Sequence, residues 1–218
     1  MSNESVITAI KGQQHDRERV NVFVDGEYAF AVTAEMAVLE GLRIGQPITP
    51  ARIAELQAKD EQSKAVNSAL LLLTTRPRSI KEIRTRLKQK GYSAPAIDAA
   101  IEKAEGWNYV DDEAFARFWV ENREANRPRG RRLLEQELRD KGVDREIVRN
   151  VIDEAGINEI EAATELARSK LRSYAKLEPE VARRRLAGFL VRKGYNFDVV
   201  KHALATAMGG ELEPEESE

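Results

Sequence analysis

A chain of 218 residues with no cysteine, 2 histidines and 35 basic against 37 acidic residues carries a formal charge of only -2. It is long enough to bury one or two cores. The missing thiols exclude disulfides, thiolate metal sites and cysteine nucleophiles.

The N-terminus, MSNESVITAIKG, has no basic stretch followed by a long apolar run. The longest apolar run, Ala69 to Leu73, is far too short to span a bilayer. A soluble, cytoplasmic protein is expected. Abundant Ala, Leu, Glu, Arg and Lys point to a mainly helical chain.

Val6–Gly12, Arg19–Gly26 and Glu27–Val32 alternate apolar and polar residues, with Val20, Val22 and Val24 on one face. Asp25-Gly26 between two such runs predicts a hairpin, because a type I′ turn needs positive φ at both central residues. The expectation is a small antiparallel sheet of two or three strands, with no strand after Val32. Thr33 reads as the cap of a short helix through Glu40 that Gly41 ends. Thr49-Pro50 opens a second helix toward Ala58, and a third runs from about Asp60 to Thr74.

Beyond Thr74 the chain repeats itself. Pro77, Pro128 and Pro179 recur every 51 residues, and Gly91, Gly142 and Gly194 follow at 51 and 52. Ile83 and Leu87, Leu134 and Leu138, Leu186 and Leu190 precede these glycines at helical spacing. A lysine stands immediately before each glycine: Lys90, Lys141, Lys193. The glycine suits the left-handed residue that ends a helix, and an apolar residue follows it, as in a Schellman ending. Ser93, Asp144 and Asn196 then read as caps of a further helix. Asp111 and Asn158 read as caps of third helices, Asn158 with Glu161 as a capping box.

Two divisions of the chain follow. In one, residues 1–58 form a hairpin with short helices, 59–125 a first repeat, 126–176 a second, 177–208 a truncated third and 209–218 a disordered acidic tail. In the other, the Asp60–Thr74 helix heads the first repeat and the set is offset. Either way, such units must stack to share a core. The fold class is tandem three-helix, helix-turn-helix-like repeats in an elongated curved array.

No phosphate-binding glycine loop, nucleophile elbow or dinucleotide fingerprint is present, and His15 and His202 form no metal constellation. Asp111-Asp112 reads as helix capping rather than a catalytic pair. Trp107 and Trp119 read as core residues. No enzyme and no cofactor are expected.

What the repeat leaves unexplained is its charge. On the helix from Ser79 to Lys90, Ile80, Ile83 and Leu87 form the buried stripe, and Lys81, Arg84, Arg86 and Lys88 lie on the remaining surface. The lone acid, Glu82, pairs with Ser79 as a capping box. Arg127, Arg129, Arg131 and Arg132 crowd the start of the corresponding helix, where cations oppose the macrodipole. Arg183, Arg184, Arg185, Arg192 and Lys193 appear in the third unit. Recurrence points to a polyanionic partner that compensates the charge. A stand-alone tandem helix-turn-helix nucleic-acid binder is the alternative, against which the acidic overall balance counts.

RPRSIKEIRTRLKQKGY, then YVDDEAFARFWVENR, then RPRGRRLLEQELRDKGV resembles the RecX family of bacterial recombination regulators. The resemblance runs from Asp60 to about Ala207, and NVFVDGEYAFAV is similar to the N-terminal extension of longer members. It implies a monomeric inhibitor that binds the RecA nucleoprotein filament and restrains its ATPase, strand exchange and co-protease activity in recombination and SOS repair, with weak direct DNA binding. The basic positions it carries over are Arg76, Arg78, Lys81, Arg84 and Arg86, with Lys88 beside them on the same helix, and Arg127, Arg129, Arg131 and Arg132. Two departures stand out: Trp107-Asn108 replaces a glycine-containing approach to YVDD, and Glu178-Pro179 replaces Arg-Pro in the third unit.

Overall fold

A computed structural model describes residues 5–14 and 16–209. The expected loop histidine, His15, and the expected acidic tail beyond Gly209 lie outside them. The chain divides into two compact units. One takes in the chain up to Arg76 together with Ile83–Tyr109, and the other takes in Pro77–Glu82 and the chain from Val110 on.

The first unit opens with a four-stranded antiparallel sheet of order β3-β2-β1-β4: β1 (Ser5–Gly12), β2 (Arg19–Val24), β3 (Glu27–Thr33) and β4 (Pro47–Ile48). The β2–β3 turn is the expected one, with φ of 51° at Asp25 and 90° at Gly26. Four strands replace the expected two or three. The extra strand is two residues long and pairs with Ser5 and Val6, so no alternation could reveal it. Ile7, Val22, Phe30, Val32 and Ile48 pack with Ala37 of α1 (Ala34–Leu39), Leu42, and Leu56 of α2 (Pro50–Leu73).

α2 corrects a second expectation, since one helix of 24 residues replaces two shorter ones. Neither glycine nor proline interrupts it after Pro50. Pairs one turn apart, Glu55–Lys59 at 2.9 Å and Asp60–Lys64 at 2.8 Å, carry it across the supposed break. Asp60 is therefore mid-helix, 4% exposed, and takes both guanidinium nitrogens of Arg19 at 2.9 Å. This fork ties β2 to α2. Burial alone would raise the Asp60 pKa, but the hydrogen bonds from Arg19 and Lys64 outweigh it and hold the carboxyl below its ordinary value.

The helices that follow are α3 (Ile80–Gln89), α4 (Ala94–Gly106), α5 (Asp112–Asn126), α6 (Arg131–Asp140), α7 (Arg145–Ala155), α8 (Glu159–Leu171), α9 (Pro179–Arg192) and α10 (Phe197–Met208). The cores define three groups. Ala65, Val66 and Ala69 of α2, Ile83 and Leu87 of α3 and five residues of α4 are buried in the first. α5, α6 and α7 enclose Phe115, Leu134, Leu138 and Val148 in the second, and α8, α9 and α10 enclose Ala163, Leu186, Leu190 and Val200 in the third. Each repeat thus opens with a single helix and closes with a helix-turn-helix. In the third group α8 is the helix at the head.

The six residues at i, i+4 spacing before the turn glycines are all 0% exposed. Gly91, Gly142 and Gly194 have φ of 88°, 86° and 93°. The residue after each donates back to the carbonyl five positions earlier, Tyr92 to Leu87 at 3.3 Å, Val143 to Leu138 at 3.1 Å and Tyr195 to Leu190 at 3.3 Å. Asp144 and Asn196 cap the next helices through their side chains. Ser93 does not. Its amide and hydroxyl both bond to the Glu61 carboxylate, at 2.8 and 2.7 Å. Trp107 is a further correction: it is 44% exposed, edge-on to Tyr109 with centroids 6.0 Å apart.

Removing Arg19 leaves the buried Asp60 carboxylate with Lys64 as its one remaining ion-pair partner among the described residues. Arg19→Ala should destabilise the N-terminal unit by about 3–5 kcal/mol, read by thermal denaturation. Because the folded Asp60 pKa is depressed, its contribution is present above the ordinary carboxylate range and is lost as pH falls through that range. The gap between wild type and variant should therefore narrow toward low pH.

Candidate partner-binding surface

Two matching clamps organise the second unit. Ser79, 0% exposed, donates its hydroxyl to the Lys141 carbonyl at 2.7 Å while accepting the Glu82 amide at 3.2 Å. The next amide, Ile80, donates to the carboxylate of Asp112, the first residue of α5, at 2.9 Å. Equivalent contacts recur in the next repeat, with the donor residues 51 positions on. Gly130 donates its amide to the Lys193 carbonyl at 2.9 Å, and the Arg131 amide donates to Glu159, the first residue of α8, at 2.7 Å. In both, the start of a middle helix is bonded to the lysine that precedes the next turn glycine.

The clamps account for local composition. A Cβ at Gly130 would lie 2.4 Å from the Gly194 carbonyl group, and one at Gly194 would lie 2.4 Å from Leu133 Cβ, so two glycines are needed where backbones meet. At the first clamp the Lys81 stem covers Gly142, at 2.7 Å from where a Cβ would stand, and its ammonium reaches the Asp140 carbonyl at 3.0 Å.

The ten basic residues singled out from the sequence meet different fates. Arg76 and Arg78 are half-buried in the link before α3. Arg84 pairs with Asp98, and Arg86 donates to Gln89 at 3.0 Å. Arg131 bridges Glu135 at 3.0 Å and Asp153 at 2.5 Å. Its charge at a helix start is therefore compensated inside the chain, not by a partner. Arg129 faces Glu137 with Nε 3.6 Å from Oε1, an ion pair too long to be a hydrogen bond, and Nε is buried without a hydrogen-bond partner. Lys88, Arg127 and Arg132 are exposed and form no ion pair among the described residues. These three remain open to an anionic partner.

A polar network beside the clamp was not read from the sequence. Glu137 Oε2 accepts from Trp119 Nε1 at 2.9 Å and from Arg123 Nε at 2.7 Å. The Arg123 guanidinium and the Lys141 ammonium lie 4.1 and 4.2 Å from the Trp119 ring centre, and Lys141 also bonds Glu82 at 2.6 Å. The lysine before each turn glycine was its one visible trace. At the equivalent place in the third repeat, burial and the nearby Arg129 and Arg127 push the Lys193 ammonium pKa down, with Glu137 opposing. Tyr195 beside it is 3% exposed, and its hydroxyl has no hydrogen-bond partner. Burial, then Glu159, raises its pKa to about 12.

No cluster of three or more metal-ligating side chains occurs among the described residues. Nor is any helix among them long and apolar enough to cross a membrane. Fold and surface define a tandem three-helix-repeat protein whose helix-turn-helix units present basic side chains.

Family models identify the repeats individually. The Regulatory protein RecX N-terminal domain matches residues 5–49, and the first, second and third RecX three-helix domains match 65–103, 111–152 and 158–204. The chain is 35% identical over 199 residues to Regulatory protein RecX of Bacillus licheniformis, covering 91% of this chain and 76% of that one. It is 30% identical over 209 residues to the Clostridium botulinum protein of the same name, covering 94% and 98%. A crystal structure of regulatory protein RecX superposes with a TM-score of 0.71 at 24% identity, covering 91% of this chain and 98% of that one. The chain belongs to the RecX family of regulatory proteins.

The three turn glycines should tolerate alanine unequally. Gly91→Ala meets open space and should cost only the left-handed penalty of about 1–2 kcal/mol. Gly142→Ala must also displace the Lys81 stem, and Gly194→Ala strikes the backbone of Leu133. Unfolding in urea should rank them in that order. Separately, the raised Tyr195 pKa means that the unfolded chain loses this proton first. Stability should therefore fall as pH rises from about 10 to about 12. Tyr195→Phe should remove that part of the fall at little or no cost near neutrality, since the hydroxyl is unpartnered.

Proposed function

We propose that this protein is a non-enzymatic modulator that binds the RecA nucleoprotein filament in the cytoplasm as a monomer and restrains its ATPase, strand exchange and co-protease activity in recombination and SOS repair. Membership of a regulatory family supports this reading. The observation that carries it is that Lys88, Arg127 and Arg132 stay exposed and free of ion pairs where Arg84 and Arg131 are neutralised internally. Exposed cations on successive repeats suit an acidic, repeating partner. Several weak contacts on one chain give an avidity that none has alone. Bound across more than one RecA protomer, the protein would oppose the movements that couple ATP turnover to filament growth. It needs no chemistry of its own.

The test is DNA-dependent ATP hydrolysis by preformed RecA filaments, titrated with the full chain. Hydrolysis should fall with added protein. The triple variant K88E/R127E/R132E should need about tenfold more protein for the same effect, with its circular dichroism unchanged. Arg84 and Arg131 are poor choices for reversal, because doing so would break internal pairs. Hydrolysis and strand exchange indifferent to the wild-type chain over a wide concentration range would sink the proposal.

A further inference from the structure

Three arginines that the filament reading leaves unused meet on the second repeat. Arg139 of α6 and Arg145 and Arg149 of α7 line one cavity of about 300 Å³, together with Glu135 and the buried Val148. That volume stands at the lower end of what small-molecule sites enclose, about 300–1,000 Å³.

Charge along the α6–α7 seam is sorted. At one end opposites meet, where Arg131 bridges Glu135 at 3.0 Å and Asp153 at 2.5 Å. At the other end the cavity has three arginines against one acid. That acid, Glu135, is already committed to Arg131, and Arg139 stands 3.7 Å from it. Arg145 and Arg149 are exposed and form no ion pair among the described residues. They lie one turn apart, a spacing at which like charges weaken a helix. Arg145 is also the first residue of α7, where a cation opposes the macrodipole. The capping carboxylate there, Asp144, accepts the Glu146 amide at 2.8 Å and does not pair with it.

The fold does not require this arrangement, because the first repeat manages without it. Counted from the turn glycines, Glu135 and Arg149 correspond to Arg84 and Asp98, which pair with each other. The second repeat exchanges the two charges and leaves the pair unmade. Arg145 corresponds to Ala94 in the first repeat and to Phe197 in the third. The arginine cavity therefore belongs to one repeat alone, whereas a surface that follows a repeating partner would recur.

Guanidinium groups hold phosphate oxygens through paired N–H donors, with a geometry that a lysine does not match. Three of them, set on two helices around an apolar floor, suit more charge and more oxygens than one phosphate carries. A cavity of this size admits the end of a small molecule, while a continuous strand would lie across its mouth.

We propose that the cavity between α6 and α7 binds the pyrophosphate group of a free small molecule, with Arg139, Arg145 and Arg149 donating to its oxygens. The site is separate from Lys88, Arg127 and Arg132, and it is tested without RecA.

The full chain is titrated with inorganic pyrophosphate in magnesium-free buffer and followed by isothermal calorimetry. One site should appear, binding pyrophosphate about tenfold or more tighter than inorganic phosphate. Arg149→Asp installs the residue that the first repeat carries there, and R139A/R145A removes the other two forks. Each should weaken binding about tenfold or more, with its circular dichroism unchanged. R183A/R184A, which takes the same charge from α9, should bind as the wild-type chain does. The proposal is overturned if millimolar pyrophosphate neither releases heat nor raises the melting temperature, or if Arg149→Asp and R139A/R145A bind as the wild type does. It is equally overturned if R183A/R184A loses as much affinity as R139A/R145A. So it is if oligo(dT) of matched phosphate content competes as well as pyrophosphate itself, which would mark a nucleic-acid surface.

Discussion

The carbonyl of the lysine that precedes a turn glycine is the hinge on which the second unit is organised. In a free helix-turn-helix that carbonyl would face solvent. Here it accepts a hydrogen bond from the start of a preceding middle helix, through the Ser79 hydroxyl in one case and the Gly130 amide in the other. Each clamp needs the left-handed glycine beside it, because only that backbone turn presents the carbonyl outward and leaves no Cβ in the way. A single local device thus ends a helix, starts the next and offers a connection to a neighbour. Repetition of the turn is what allows repetition of the bond.

The two clamps achieve the same connection with different chemistry. Ser79 is a side-chain donor that needs some separation, and the Lys81 stem fills the space above Gly142. At the second, donor and acceptor are both backbone, and the approach is close enough that neither Gly130 nor Gly194 tolerates a Cβ. The surrounding ions follow suit. Glu82 and Lys141 form a pair at the first clamp, whereas Lys193 at the second has two arginines for neighbours.

Much of the fold was legible because its signals are local. Asp25-Gly26, the Thr49-Pro50 cap, the buried pairs ending in Leu87, Leu138 and Leu190, and the turn glycines depend on residues within about two helical turns. What escaped depends on partners distant in the chain. Nothing near Asp60 announces Arg19, 41 residues away, and two residues of β4 are too few for a period. Gly130 read as part of a basic phrase because its reason to be glycine is Gly194. The candidate surface was legible in composition but not in state. All ten basic positions could be named, yet which were already neutralised depended on Asp98 and Asp153, contributed by other helices, as well as on Glu135 and Glu137 of α6.

Asp112 and Glu159 have a consequence for how these helix-turn-helix units meet anything anionic. The amide end of a helix is ordinarily the natural dock for a phosphate, with unbonded N–H groups and the positive end of the macrodipole directed at it. In α3 and α6 that dock is stoppered by a carboxylate from another helix of the same chain. An anion approaching either tip meets a carboxylate already in place, whose like charge repels it. At these two tips the chain supplies its own anion, and the bond that could have held a ligand holds one helix to another instead.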